Sequence, residues 1–591
     1  MINHTLTELF YSVVERDLDS AMMQKRGNSW AAISSRELYR NVLGVARALA
    51  SWGIVKGDRV AILSENRPEW AITDFATMSL GAVTVPIYAT LTPEQTLHIV
   101  RNSGARLVFV STQDQLKKIM SIQEEWALEK IVVMDDVTAP GVIQMGPIMQ
   151  SGPTERDKAF DERALAITPD DLATIIYTSG TTGTPKGAML TQGNLASNLL
   201  HSLDVFGFKP EQISISFLPL SHVTARHVDY AMFWHGVTVA YCPFHEHLLE
   251  ALSEVKPHFF VAVPRVYEKI SAKVQSSAQE GVKHKIYEWA MRVGRAHKDE
   301  VLAGKTPTAL QWRLADKIFY SKVKGALGGR VEMFASGGAP LSRDTLDWYA
   351  SMGMRINEGY GLTETSPVIA LNNPNFFRPG SVGRVLKNVQ VRIAEDGEIL
   401  VKGPSVFKGY WNMPEETAKV FEDGWFRTGD VGHVDEDGFL FITDRKKDLI
   451  KTSGGKFIAP QPIEGKLKAS ALVAEAAVIA DKRKFASAVI APNFDALEYW
   501  ARQNRVTFQS REELVANAQV FALFEDVIAD VNRNLAQYEK IKKFLLVADE
   551  FSIANNALTP TMKLKRRFIE ERYRKQVDEL YEGDAKILKA S

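Results

Sequence analysis

The residues best suited to chemistry lie in Tyr177-Thr178-Ser179-Gly180-Thr181-Thr182-Gly183-Thr184-Pro185-Lys186-Gly187, a run dense in hydroxyls and glycines with one lysine at its exit. Glycines let backbone N–H groups turn inward on an anion, Ser and Thr hydroxyls add donors, and Lys186 adds a positive charge. Such a loop holds phosphate. It differs from the P-loop of kinases and GTPases, in which Gly-Lys is followed by Ser or Thr opening a helix; here Lys186 follows Pro185 and precedes Gly187. A flexible surface linker is the alternative, and so long a Ser/Thr/Gly run with a single lysine argues against it.

Other segments carry compatible chemistry. Ser336-Gly337-Gly338-Ala339-Pro340-Leu341 and Glu358-Gly359-Tyr360-Gly361-Leu362-Thr363-Glu364-Thr365 each follow an apolar strand-like stretch. Ligands of open α/β sheets sit at the carboxyl ends of strands, so both segments are placed to face the phosphate loop. Their glycines admit a flat base, Tyr360 offers a stacking face, and Glu364 offers a hard oxygen for Mg²⁺. In Trp425-Phe426-Arg427-Thr428-Gly429-Asp430 the carboxylate suits two vicinal hydroxyls, because it accepts from both. Taken singly, a tight turn explains each of these as well.

The elements that must position them read as an α/β protein. Val60 to Leu63, Ala82 to Ile87, Arg106 to Ser111, Ile131 to Met134 and Leu172 to Tyr177 are short apolar strands, with helices over Glu69 to Ser79 and Pro93 to Asn102. That alternation predicts a parallel sheet covered on both faces. Ser151 to Arg163 reads as a polar connecting loop, and a second run of strands follows at Ile213 to Leu218, Val237 to Tyr241 and Phe259 to Val263. Val282 to Leu302 is a long polar helix. A hairpin over Val434 to Ile442 ends in the charged junction Thr443-Asp444-Arg445-Lys446-Lys447-Asp448, where we place a boundary between domains 1–444 and 445–591.

With 591 residues, more than one domain is expected. Lys+Arg and Asp+Glu both number 71, which points away from nucleic acid. Cys242 is the only cysteine, so an intramolecular disulfide and a cysteine-rich metal site are excluded; the reading is a buried thiol in a reducing, cytoplasmic setting. No signal-peptide pattern and no run of about 18 apolar residues is found. Peripheral contact with the inner face of a membrane stays open, as does the choice between monomer and homodimer.

The Tyr177 to Gly187 segment resembles the phosphate-loop signature of the adenylate-forming superfamily, which includes acyl-CoA synthetases, peptide-synthetase adenylation domains and beetle luciferases. The other segments follow in the order the superfamily has them. The resemblance implies a large N-terminal domain of parallel-sheet βαβ subdomains with a β-barrel-like part, and a small mobile α+β C-terminal domain. It further implies that ATP is held by Thr178 to Thr184, Lys186, Gly338 to Pro340, Glu358 to Gly361, Thr363, Asp430 and Arg445, with Mg²⁺ on Thr181 and Glu364. Lys447 matches the hinge, and Ser453-Gly454-Gly455 the loop that meets CoA. In Thr559-Pro560-Thr561-Met562-Lys563, Lys563 aligns with the lysine that reaches carboxylate and α-phosphate, although Met562 stands where the common pattern has glycine. As plain sequence this stretch is the basic start of a helix.

Thr561-Met562-Lys563, Leu218-Pro219-Leu220-Ser221-His222 and Val263-Pro264-Arg265-Val266-Tyr267-Glu268 are similar to the long-chain fatty acyl-CoA synthetase branch, with His222 bordering the acyl site. The implied reaction is ATP-dependent activation of a long-chain fatty acid to acyl-AMP and transfer to CoA, with Lys563, Lys186, Glu364 and His222 as catalytic residues. Val228 to Tyr241 would line an acyl tunnel or form a packed core strand. Alternatives are a fatty acyl-AMP ligase loading a carrier protein, a medium-chain or aryl acid–CoA ligase, a sensor without activity, and an ADP-forming phosphotransferase.

Overall fold

Val60-Ala61-Ile62-Leu63 is apolar without alternation, as a strand covered on both faces must be, and all four side chains are fully buried. They form strand Arg59–Leu63, near the middle of a seven-stranded sheet. The computed structural model describes residues 5–126, 128–178, 185–243, 247–278, 281–453, 456–533, 535–559 and 563–582, and strand counts refer to these. In order, the sheet runs Val142–Gln144, Lys130–Val133, Leu107–Val110, Arg59–Leu63, Val83–Ile87, Leu172–Thr178, Lys186–Thr191. All neighbours are parallel except the last pair, in which Thr178 opposes Lys186.

A second sheet of nine strands has Ile213–Ser216, Phe259–Ala262, Met333–Ser336 and Ile356–Gly361 as parallel neighbours. Gly359, Tyr360 and Gly361 therefore belong to the strand itself and do not follow it; they pair antiparallel with Val368–Leu371. Helix Pro68–Ser79 is buried at every position although Glu69, Thr73, Asp74, Thr77 and Ser79 are polar, so such groups need partners inside the protein. Its Thr73 and Thr77 hydroxyls satisfy themselves on carbonyls one turn back, and its Asp74 is bound by Arg226. The main core cluster joins this helix to Leu6–Glu15, Ser35–Ser51 and Val223–His235.

A five-stranded antiparallel sheet, including Glu398–Lys402, Trp425–Val434 and Leu440–Arg445, stands where a barrel-like part was expected. The C-terminal part has its own core over a three-stranded sheet, Val473–Ile479, Ala486–Pro492 and Ile541–Leu546, packed by Pro460–Lys468 and Ala518–Arg533. Among the described residues no helix is long and apolar enough to cross a membrane.

Three local expectations are corrected. The supposed loop Ser151 to Arg163 runs into helix Lys158–Leu165, because Asp157 caps it and Phe160 and Ala164 form a buried stripe. Val228 to Tyr241 is the end of helix Val223–His235 followed by strand Thr238–Tyr241; residues 228–241 belong to the core and do not line the large cleft. In the basic stretch before Arg566, Leu558 and Leu564 form an antiparallel bridge, and the helix begins only at Arg566. Cys242 is buried, as read.

Candidate active site

The carboxyl ends of the two sheets and the C-terminal part enclose one cleft of about 3520 Å³. A single small-ligand pocket is typically about 300–1,000 Å³, so this cleft has room for more than one reactant. Thr178, Lys186, His222, Gly338, Ala339, Pro340, Glu358, Gly359, Tyr360, Gly361, Thr363, Glu364, Asp430, Arg445, Lys447 and Lys563 all line it. Ser453 does not; its backbone N–H is tied to the Arg483 carbonyl at 2.9 Å. Ser179, Gly180, Thr181, Thr182, Gly183, Thr184, Gly454 and Gly455 lie outside the described residues.

Asp430 sits on strand Trp425–Val434 directly opposite Arg445. Its Oδ1 meets Arg445 Nε at 3.0 Å, and its Oδ2 accepts the Tyr360 hydroxyl at 2.6 Å. Two further lone-pair positions remain on a carboxylate so engaged. Burial, reinforced by the Asp430 charge, pushes the Tyr360 phenol far up, so it stays a donor. Gly361 permits a close crossing: a Cβ there would fall 1.8 Å from the Pro367 carbonyl oxygen. Gly338 has φ +81°, which favours glycine, and a Cβ added there would meet nothing nearer than Val263 at 3.8 Å. Burial raises the Glu358 carboxyl to about 8 against the opposing pull of Arg343.

Glu364 is buried and its Oε1 accepts the Tyr410 hydroxyl at 2.8 Å. Mg²⁺ is commonly held by one or two carboxylates together with substrate phosphates and water. The partly engaged Glu364 carboxylate fits that role. Among the described residues no group of three or more His, Cys, Asp or Glu could hold a metal ion unaided.

Lys563 reaches this cleft from the C-terminal part. The Thr559 N–H donates to its carbonyl at 2.8 Å, and its own N–H donates to Thr559 Oγ1 at 3.0 Å. Close behind it, Arg566 grips buried Glu464 at 2.9 and 3.0 Å. Lys563 is exposed, but the surface it exposes faces the cleft. The cleft walls around it, and then the Arg445 guanidinium, pull its amine down to about 8, opposed by Asp430 and Glu364. His222 caps helix Val223–His235 and feels the same amine. Its Nδ1 accepts the Thr224 N–H at 3.1 Å, and burial pulls the ring down to about 4, so at neutral pH the imidazole is uncharged with its proton on Nε2.

Three residues that sequence reasoning passed over complete the walls. Asn66 clamps the segment before His222, donating to the Leu218 carbonyl at 2.7 Å and accepting from the Leu220 N–H at 3.1 Å. Tyr410 and Glu416 meet Lys186: the amine lies 5.2 Å from the Tyr410 ring centroid and is ion-paired with Glu416. In the sequence only the asparagine between two charges in Glu65-Asn66-Arg67 and the glycine at 409 offered any signal, and neither specifies a partner.

The family model for AMP-binding enzymes matches residues 11–411, and that for the AMP-binding enzyme C-terminal domain matches residues 447–585. This chain belongs to the AMP-binding enzyme family. Among curated members, the long-chain-fatty-acid–CoA ligase FadD15 of Mycobacterium bovis is 36% identical over 562 residues, covering 93% of this chain and 92% of the relative. The human long-chain-fatty-acid–CoA ligase ACSBG1 is 32% identical, covering 98% and 85%. Among solved structures, ATP-bound MatB from Rhodopseudomonas palustris is similar with TM-score 0.71 and 26% identity, covering 97% of this chain and 99% of MatB. The anthranilate CoA ligase AuaEII with anthranoyl-AMP shares the fold at TM-score 0.75 and 20% identity, covering 98% and 99%.

Proposed function

We propose that this AMP-binding enzyme is a long-chain fatty acid–CoA ligase that forms AMP. The observation carrying this reading is the seating of Lys563 in a cleft it shares with Asp430, Arg445, Glu364 and His222. The ligase relatives, similar along nearly the whole chain, support the acid and thiol substrates.

A free carboxylate is a poor acylating agent because oxide is a poor leaving group. In the first step a carboxylate oxygen attacks the α-phosphorus of ATP, the bond to the β-phosphate oxygen breaks, and pyrophosphate leaves. Two anions must meet, so the protein's task is alignment and charge neutralisation. Lys563 would clamp carboxylate and α-phosphate, and Lys186 would face the outer phosphates. Asp430 and Arg445 would take the ribose hydroxyls, with Gly338 to Pro340 and Glu358 to Gly361 around the base. The neutral His222 would offer Nε2–H at the acyl end. Mg²⁺ held by Glu364, and by Thr181 from the phosphate loop, would neutralise phosphate charge.

In the second step the thiolate of CoA attacks the acyl carbonyl and AMP leaves. We assign residues 1–444 to the body and 445–591 to a mobile domain hinged at Lys447. Rotation would withdraw Lys563 and bring Ser453, Gly454 and Gly455 to the thiol, a hinge mode of switching.

The test is product analysis with ATP, Mg²⁺, CoA and straight-chain acids from acetate to oleate. AMP, pyrophosphate and acyl-CoA in equal amounts, rising with chain length, are expected. Each buried CH₂ stabilises by about 0.8 kcal/mol, so the gain per added carbon is large enough to read. A preference for acetate or for aryl acids would overturn the long-chain assignment, and ADP would overturn the reaction itself.

A further inference from the structure

Lys186 was read as the phosphate lysine, yet here its amine already holds an anion. Glu416 Oε2 pairs with Lys186, and Glu416 Oε1 pairs with Lys419. The contact is built by the main chain. Trp411 N–H donates to the Gly187 carbonyl at 2.8 Å and Met189 N–H to the Gly409 carbonyl at 3.0 Å, stitching residues 409–411 along the strand that begins at Lys186. The Tyr410 N–H donates to Thr417 Oγ1 at 2.9 Å, fixing the short helix Pro414–Ala418 that carries Glu416. Glu416 is delivered to the lysine as deliberately as a ligand would be.

The chemistry of the pair is that of an exchangeable counter-ion. Glu416 keeps a third of its side chain in water, and Lys186 a fifth. Losing Lys186 would leave Glu416 with Lys419 and solvent, so the exchange strands no buried charge. A polyphosphate carries more charge and more acceptor oxygens than one carboxylate, and can displace it. Once the polyphosphate departs, the carboxylate is in place to take the amine back.

We propose that Glu416 is a resident competitor for Lys186 that polyphosphate displaces, and that it recaptures the lysine as pyrophosphate leaves. This rests on the nucleotide reading of the cleft. It makes Glu416 a specificity-determining residue: it weakens groups that reach Lys186, namely ATP and pyrophosphate, and is neutral toward AMP, which lacks the outer phosphates.

The test measures binding of ATP, pyrophosphate and AMP by calorimetry, in Mg²⁺ without acid or CoA, for the full chain and its E416Q, E416D, K186A and K186A/E416Q variants. E416Q removes the charge at nearly constant shape. It should tighten ATP and pyrophosphate about 2- to 5-fold, the scale of a partly exposed ion pair, and leave AMP unchanged. E416D should fall between E416Q and the parent. In the K186A background the E416Q effect should vanish, which a fold-level disturbance would not produce. Stronger pyrophosphate inhibition of turnover in E416Q is the matching kinetic result. Unchanged or weaker ATP binding in E416Q, with AMP binding intact, would overturn the proposal and leave the nucleotide reading standing. A parent protein that binds neither ATP nor AMP would overturn both.

Discussion

Lys563 permits a prediction in which the structure supplies both shape and size. Its amine is pulled down to about 8, so it loses its proton as pH rises through that value. About nine-tenths of the free enzyme is protonated at pH 7 and about one-tenth at pH 9. If the ammonium form alone aligns carboxylate and α-phosphate, kcat/KM for acid-dependent pyrophosphate release should drop about tenfold between those pH values. Lys563→Ala should cost about 10²–10³ in rate and abolish this limb. Lys563→Arg keeps a charge that does not titrate below pH 12 or so, and should carry the profile flat to pH 10, whatever its absolute rate. Glu358, raised to about 8 in the same cleft, is the competing source of a limb. Glu358→Gln should therefore leave the limb in place. The assay is initial-rate pyrophosphate release from pH 6 to 10, with protein integrity followed by fluorescence. Survival of the tenfold drop in Lys563→Arg would refute the reasoning.

Two substitutions probe the frame around the site. Arg226 and Asp74 are both buried, joined at 2.8 and 3.0 Å, and Arg226 also donates to Thr174 of the strand leading to the phosphate loop. Arg226→Ala strands a buried carboxylate and should cost about 3–5 kcal/mol in chemical denaturation, whereas Arg226→Met with Asp74→Asn should cost less than either change alone. At Gly361, alanine must push a main-chain carbonyl aside, since its Cβ would fall 1.8 Å from Pro367 O. Gly361→Ala should weaken AMP and ATP together by calorimetry; loss of ATP binding alone would contradict the placement of the base beside this strand.

How much was legible in the sequence depended on the range of the interaction. Continuous apolar runs such as Val60 to Leu63 announced buried parallel strands, and an apolar thiol such as Cys242 announced its burial. Helix Lys158–Leu165 was hidden because its two buried apolar residues, Phe160 and Ala164, are outnumbered by charges that the local pattern reads as loop. Residues 228–241 were read as strand or tunnel because their apolar content does not distinguish a helix packed on several sides from either. Within the cleft, residue types announced their chemistry but their partners did not. Tyr360 reads as a stacking ring, yet its hydroxyl is held by Asp430, 70 residues on. Lys186 reads as a free cation, yet it is paired with Glu416, 230 residues on. No local pattern encodes such distances; they follow from residues 409–411 lying beside the strand that begins at Lys186.

The most direct test of the central claim is isotope exchange between pyrophosphate and ATP in the absence of CoA. Adenylate formation is the one step that makes this exchange depend on the acid alone. The account predicts rapid exchange with a long-chain acid, none without acid, and near-complete loss in Lys563→Ala while ATP still binds. Exchange that requires CoA, or that proceeds undiminished in Lys563→Ala, would contradict it.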